Sequence, residues 1–219
     1  MERKPPRRTR ERILATALSA FNEFGEPKVT TSAIADALNI SPGNLYYHFR
    51  NKDAIVDALF DRFEEQLSEL LDAPPPPAIT FEDAWLFIHL LLETIWQYRF
   101  VYRDLNDLVG RSRRLELHVR TLLDRKKRAV LGICHALTGP MGAATPTREL
   151  EALATNMVVV ATYWLSYEMA DRPRGLEDPV QRDGAMARGA WQVLSLLAPY
   201  LDDRARALLR RLADEYLKD

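Results

Sequence analysis

Gly43, Asn44, Tyr47 and His48 pair at i,i+4, Gly43 with Tyr47 and Asn44 with His48. That spacing puts all four on one face of a helix. Leu45 and Phe49, also i,i+4, fall on the opposite face. The first face offers a glycine for close approach, an amide, a phenol and an imidazole. Such groups donate to and accept from base edges, and the major groove of DNA admits a helix that presents them. Thr30, Thr31 and Ser32 supply hydroxyls and backbone amides at the start of the preceding helix, a combination that suits a phosphate. Ser41 and Pro42 open the helix that carries the polar face, and Lys52 and the Arg7–Arg10 arm bring positive charge. On composition and spacing alone, the segment reads equally well as a three-helix structural subdomain with an ordinary polar surface.

Other chemistries find little support. The four histidines, His48, His89, His118 and His135, are scattered, and no His-Glu-x-x-His or Cys-x-x-Cys spacing occurs, so no metal site is expected. Cys134 and His135 are adjacent and point about 100° apart on a helix, a poor chelate. There is no Gly-x-Gly-x-x-Gly, P-loop or Gly-x-Ser-x-Gly, so no cofactor is expected. Glu64-Glu65 and Asp202-Asp203 read as solvated faces. A small helical enzyme and a structural interaction module are the competing classes.

The chain has 219 residues and a net charge of −1, so total charge does not point to nucleic acid. Its distribution is uneven. Residues 1–53 hold nine basic and six acidic side chains, a local excess of +3. The lone cysteine excludes an intrachain disulfide and fits a reducing cytoplasm. The most apolar stretches, Ala84–Leu92 and Met157–Leu165, are well short of the ~20 residues that span a bilayer. No membrane association is expected. The run after Arg7-Arg8 superficially suggests a signal peptide, but Glu11 and Arg12 interrupt it and the helical spacing continues beyond.

The elements that must position the polar face are all helical by periodicity. Ile13, Leu14, Ala17, Leu18, Phe21 and Phe24 form the inner stripe of a first helix, with Thr9 as its cap and Gly25 and Pro27 as its stop. A short helix capped by Thr31 buries Ile34, Ala35 and Leu38, and Asn39 suits the turn that follows. Ser41 caps the third helix, with Pro42 at its first position. Asn51 caps a fourth, which carries the apolar stripe Ile55, Leu59, Phe63, Leu67. Four prolines, 74–77, make an extended connector. Six more helices are predicted at Phe81–Tyr98, Val101–Leu108, Ser112–Leu137, Arg148–Ala170, Pro179–Leu197 and Asp203–Leu217, with Thr80 and Asp178 as caps. Gly139–Gly142 and Arg172–Gly175 act as breakers. No strand is predicted, and the fold class is all-α with about ten helices.

The run from Thr30 to Lys52, above all Leu45-Tyr46-Tyr47-His48-Phe49-Arg50-Asn51-Lys52, resembles the DNA-binding signature of the TetR family of bacterial repressors. The likeness covers about residues 9–60. It implies a three-helix DNA-binding unit at 1–53, a connecting helix at 54–72, and a helical bundle at 73–219 that binds an effector and dimerises. It also implies that Pro42, Gly43, Asn44, Tyr47 and His48 face the groove and that Thr31, Tyr46 and Lys52 touch the phosphate backbone. Ile34, Leu38, Ile40, Leu45 and Phe49 become core. The implied function is a ligand-responsive cytoplasmic repressor that binds a palindromic double-stranded DNA operator as a homodimer.

Aromatic residues interleaved with polar groups mark the candidate small-molecule pocket: Trp85, His89, Trp96, Tyr102, Asn106, His118, Asn156, Tyr163 and Tyr167. The expected dimer seam is formed by helices 148–170 and 179–197. The first is apolar around most of its circumference from Leu150 to Leu165. In the second, Gly184, Ala187, Gly189 and Ala190 permit close helix approach.

Overall fold

Every regular element among the described residues is helical. The structure is a computed structural model that describes residues 6–72, 78–172 and 175–217. The proline connector at 74–77 and part of the 172–175 breaker lie outside them. In chain order the α-helices are α1 Pro6–Phe24, α2 Thr31–Ala37, α3 Pro42–His48, α4 Lys52–Leu71, α5 Phe81–Gln97, α6 Arg99–Arg103, α7 Leu105–Arg111, α8 Arg113–Ala144, α9 Thr147–Asp171, α10 Pro179–Ser195 and α11 Asp203–Tyr216. They group into two compact units, residues 1–66 with 98–118, and residues 67–97 with 119–219.

Most helix starts follow the side-chain chemistry expected of them. Ser41 accepts from the Asn44 amide at 3.2 Å and Asn51 from the Ala54 amide at 2.9 Å. Thr80 and Asp83 form a reciprocal capping box: Thr80 Oγ1 accepts from the Asp83 amide at 3.1 Å, and Asp83 accepts from the Thr80 amide at 2.9 Å. Asp178 accepts from the Val180 amide at 2.9 Å. Two starts differ from expectation. Thr30, not Thr31, caps α2, accepting from the Ala33 amide at 3.1 Å. Helix α1 begins at Pro6, so Thr9 is internal; proline at a first helical position already holds the required φ.

In the first unit, Ile13, Leu14, Ala17 and Phe21 of α1 are buried together with Ile34, Leu45, Phe49, Ile55, Leu59 and Phe63. Phe21 meets Phe100 with ring centroids 5.4 Å apart, while Phe24, the last helical residue, is exposed. Leu18, Leu38 and Ile40 are half-buried. The predicted helix Val101–Leu108 is instead two, broken at Asp104. The Asp104 carboxylate accepts from the Glu26 amide at 2.9 Å, a contact to a distant part of the chain.

In the second unit, α5, α9 and α10 pack side by side. A Cβ at Gly189 would stand 2.5 Å from Trp164 Cδ1 and 2.6 Å from Leu92 Cδ1. Gly189 and Ala190 are buried, and at Gly189 the missing Cβ is what lets α10 approach α5 and α9. Trp164 Nε1 donates to the Ala185 carbonyl at 2.7 Å. Arg188 forks onto the buried Glu168 at 2.9 and 2.7 Å, a bidentate pair that fixes α10 on α9. Helix α8 continues past its predicted end at Leu137 to Ala144, kinked at Gly139 with φ 51°.

One charged group lies on an apolar stripe. Leu122, Lys126 and Val130, at i,i+4 spacing on α8, are all buried. Burial draws the Lys126 ammonium down to about 7 from its ordinary 10.5. The unfolded chain keeps its proton to the higher value. Between the two, the unfolded state therefore binds more protons, and this group makes stability rise with pH, with no further change below about 7. Lys126→Met is expected to shift stability in urea unfolding more favourably at about pH 6, below the folded-state titration, than at about pH 9, inside the window. The limiting slope is about 1.4 kcal/mol per pH unit. Parallel pH profiles for the two proteins would refute the assignment.

Candidate nucleic-acid interface

Helices α2 and α3 are joined by a tight turn in which Asn39 adopts φ 52°, a left-handed conformation that asparagine tolerates better than most residues. The Ile40 amide donates back to the Ala35 carbonyl at 3.0 Å and closes the turn. Leu45 and Phe49 anchor α3 in the core, with 0% and 4% of their surface exposed. The helical register then turns Gly43, Asn44, Tyr46 and Tyr47 to solvent, with His48 half-exposed. Tyr47 is 80% exposed, and its ring meets the His48 imidazole edge-on at 5.1 Å. The Thr31 and Tyr46 hydroxyls are 3.1 Å apart. Thr30, Ser32, Ser41 and Pro42 are exposed around them.

The structure thus brings ten of the eleven residues expected at DNA onto one continuous surface of α2, α3 and their connecting turns. Lys52, the eleventh, has another partner. Its ammonium lies 3.0 Å from Glu26 Oε1 and donates to the Glu26 main-chain carbonyl at 3.0 Å. Arg50, two residues past the end of α3, is an exposed cation outside the expected set. Arg10 places its guanidinium 5.0 Å from the centre of the Phe49 ring, joining the basic first helix to the end of α3.

Glu26 organises the rear of this unit. Its side chain is fully buried. Arg111 Nη2 pairs with Oε2 at 2.8 Å, opposite Lys52 on Oε1. Arg111 also reaches Asp107 at 3.0 Å and Asp53 at 3.8 Å. Arg103 donates to the Phe21 carbonyl, and the Phe100 amide donates to Asn22 Oδ1 at 3.1 Å. Gly25, at φ 95°, makes the turn that delivers Glu26 to this position. Nothing in the sequence signals the cluster, because its members are 26 and 85 positions apart.

The nine pocket candidates are dispersed. Trp85 and His89 line a groove between α5, α10 and α11. Trp96 lies under the Arg182 guanidinium, 5.6 Å from the ring centre. Asn156, Tyr163 and Tyr167 are exposed on α9. Tyr102, Asn106 and His118 belong to the first unit. There Tyr102 packs edge-on to Phe63 at 5.8 Å, and His118 Nδ1 lies 2.6 Å from Glu64 Oε2. Asn106 is exposed. Among the described residues no group of three or more His, Cys, Asp or Glu is placed to hold a metal. Burial pushes the Cys134 thiol up to about 11, which keeps it protonated and unreactive.

Glu26→Ala removes a buried carboxylate from between two cations. Lys52 and Arg111 retain partial access to water, so the loss is expected at the low end of that for a broken buried pair, about 3 kcal/mol. Equilibrium unfolding in urea measures it. A variant as stable as the parent would show that the cluster does not hold the unit together.

Sequence and fold comparisons agree with this geometry. Residues 13–59 match the model of "Bacterial regulatory proteins, tetR family", and residues 62–209 match a TetR model described as "Bacterial transcriptional repressor". The HTH-type transcriptional regulator YhgD of Bacillus subtilis is 26% identical over 87 residues, 40% of this chain and 44% of that protein. The class C tetracycline repressor of Escherichia coli is 42% identical over 50 residues, 23% of either chain. The chain therefore spans less than half the length of these curated relatives. A TetR-family regulator from Marinobacter aquaeolei has a crystal structure that superposes with a TM-score of 0.84 at 32% identity, covering 96% of this chain and 99% of that one. A regulator from Streptomyces coelicolor shares the fold with a TM-score of 0.61 at 17% identity, over 95% and 89% of the two chains. With a helix-turn-helix presented at its surface and family models matching most of its length, this chain belongs to the TetR family of DNA-binding bacterial transcriptional repressors.

Proposed function

We propose that this chain is a ligand-responsive repressor acting in the cytoplasm. In this reading it binds a palindromic operator as a homodimer and leaves it when a small molecule binds. Residues 1–53 read DNA, 54–72 connect, and 73–219 bind the effector and dimerise. The observation that carries the reading is the outward face of α3. A helix of seven residues exposes Asn44 and Tyr47 with His48 beside them, while two side chains lock it from behind. Gly43 and Pro42 offer few side-chain contacts, so DNA shape contributes to specificity.

An effector acts by binding the DNA-incompetent state more tightly than the competent one. The dimer supplies the two-fold axis that a palindrome needs. Support for its location comes from α9, whose outer face exposes Val159, Tyr163 and Tyr167 at i,i+4 intervals. Leu153 and Ala187 are 7% and 6% exposed. Leu153 is packed too closely to report on the seam alone, and Ala187 lines the groove beside α5.

Tyr47→Ala and His48→Ala are expected to keep the protein folded and to weaken operator binding by about 1–3 kcal/mol each. Wild-type affinity in both, measured by fluorescence anisotropy, would remove the groove-facing assignment. Lys52→Met is expected to leave the salt dependence of binding unchanged, since Glu26 already takes its charge. A slope reduced by about one unit would give Lys52 a phosphate instead. Val159→Glu combined with Tyr163→Glu should yield a 25.1 kDa monomer in sedimentation with loss of operator binding. A parent protein that is itself monomeric at micromolar concentration would defeat the dimer reading.

A further inference from the structure

The groove between α5, α10 and α11 has a volume of about 670 Å³, within the range of small-molecule sites. At its floor the Trp85 and Tyr216 rings stack with centroids 5.3 Å apart and planes 29° from parallel. Trp85 is buried, but Tyr216 is 51% exposed, and Leu86 and Val180 stand open on the walls. Four apolar groups thus share one concave surface that water must cover. Scattered single exposures are ordinary on a protein surface, whereas a concave cluster marks a binding site.

Two carboxylates, Glu82 and Asp183, line this surface together with the His89 imidazole, which lies 3.5 Å from Glu93, and no lysine or arginine is among the described lining residues. Arg211 approaches Glu82 only at 3.9 Å from outside the groove, too far for a hydrogen bond. Asp183, exposed on α10, keeps its carboxylate at the rim. Aromatic faces attract cations through the ring quadrupole, and the two carboxylates add to that attraction. An anion would meet repulsion from both.

We propose that this groove binds an amphiphilic organic cation, with its apolar body between Trp85, Tyr216 and Leu86 and its positive centre toward Asp183 and Glu82. The inference gives a place and a chemistry to the ligand response proposed above. It rests on that reading for its regulatory consequence, not for binding itself.

Two ions of the same shape and opposite charge test it. Tetraphenylphosphonium and tetraphenylborate are titrated into the full chain without DNA by isothermal calorimetry. The cation is expected to bind at least about tenfold more tightly, a difference of about 1.4 kcal/mol. Asp183→Lys and Leu86→Arg, both at exposed positions, should each weaken the cation at least about tenfold while circular dichroism and melting stay those of the parent. Equal binding of the two ions, or cation binding untouched by both substitutions, overturns the proposal. So does a groove that takes no cation and whose Leu86→Arg variant changes sedimentation, since a second copy of the chain would then be its occupant. Operator release is read separately. A cation that binds as expected and leaves the operator complex intact upholds the groove and removes only its role as the effector site.

Discussion

A carboxylate with no access to water has to be neutralised by its neighbours, and Glu26 meets that requirement from two directions. Lys52 comes from the first turn of α4 and Arg111 from the end of α7. Without both of them the carboxylate would be a bare charge in the interior, which would cost several kcal/mol. The turn at Gly25-Glu26 is therefore tied at once to α4, the helix after the helix-turn-helix, and to a segment some 80 residues later in sequence. The break between α6 and α7 follows from the same constraint, since Asp104 leaves the helical path where it accepts the Glu26 amide. Residues 98–118 group with the amino-terminal helices for this reason.

That arrangement bears on how α3 is held. The helix is too short to be stable by itself, as isolated helices of fewer than about 12 residues are marginal in water. Its geometry is borrowed from the Ser41 cap, from Leu45 and Phe49 beneath it, and from α4, whose start is held through Lys52. The ion-pair cluster thus joins the end of α7 to the start of α4 through Glu26.

The second unit uses a different kind of fixity. Its three central helices approach closely because Gly189 leaves room for the Trp164 indole, and the Glu168–Arg188 pair sets their relative register. The outer face of α9 and the groove beside α5, which Gly184 and Ala187 help to line, are two surfaces this unit leaves open. One is apolar with tyrosines and the other apolar with carboxylates, so the two surfaces suit occupants of different chemistry.

Local chemistry made much of this legible in the sequence. Caps at Ser41, Asn51, Thr80 and Asp178, the left-handed turn at Asn39 and the i,i+4 pair Leu45/Phe49 are decided within a few residues, and each formed as its side chain dictates. The all-helical class and the polar face of α3 follow from the same short-range periodicity. Long-range electrostatics and packing were decided only by the tertiary structure. Lys52 has the same local surroundings whatever it meets, and the carboxylate beside it, Glu26, lies 26 positions away. The aromatic residues of α5 and α9 carry one composition but separate fates: Trp85 sits in a groove, while Tyr163 and Tyr167 face outward. An apolar residue on a helix that is apolar nearly all round can face a core, a ligand or a partner, and its own sequence neighbourhood carries no term that tells these apart. Which it faces depends on what the rest of the chain brings against it.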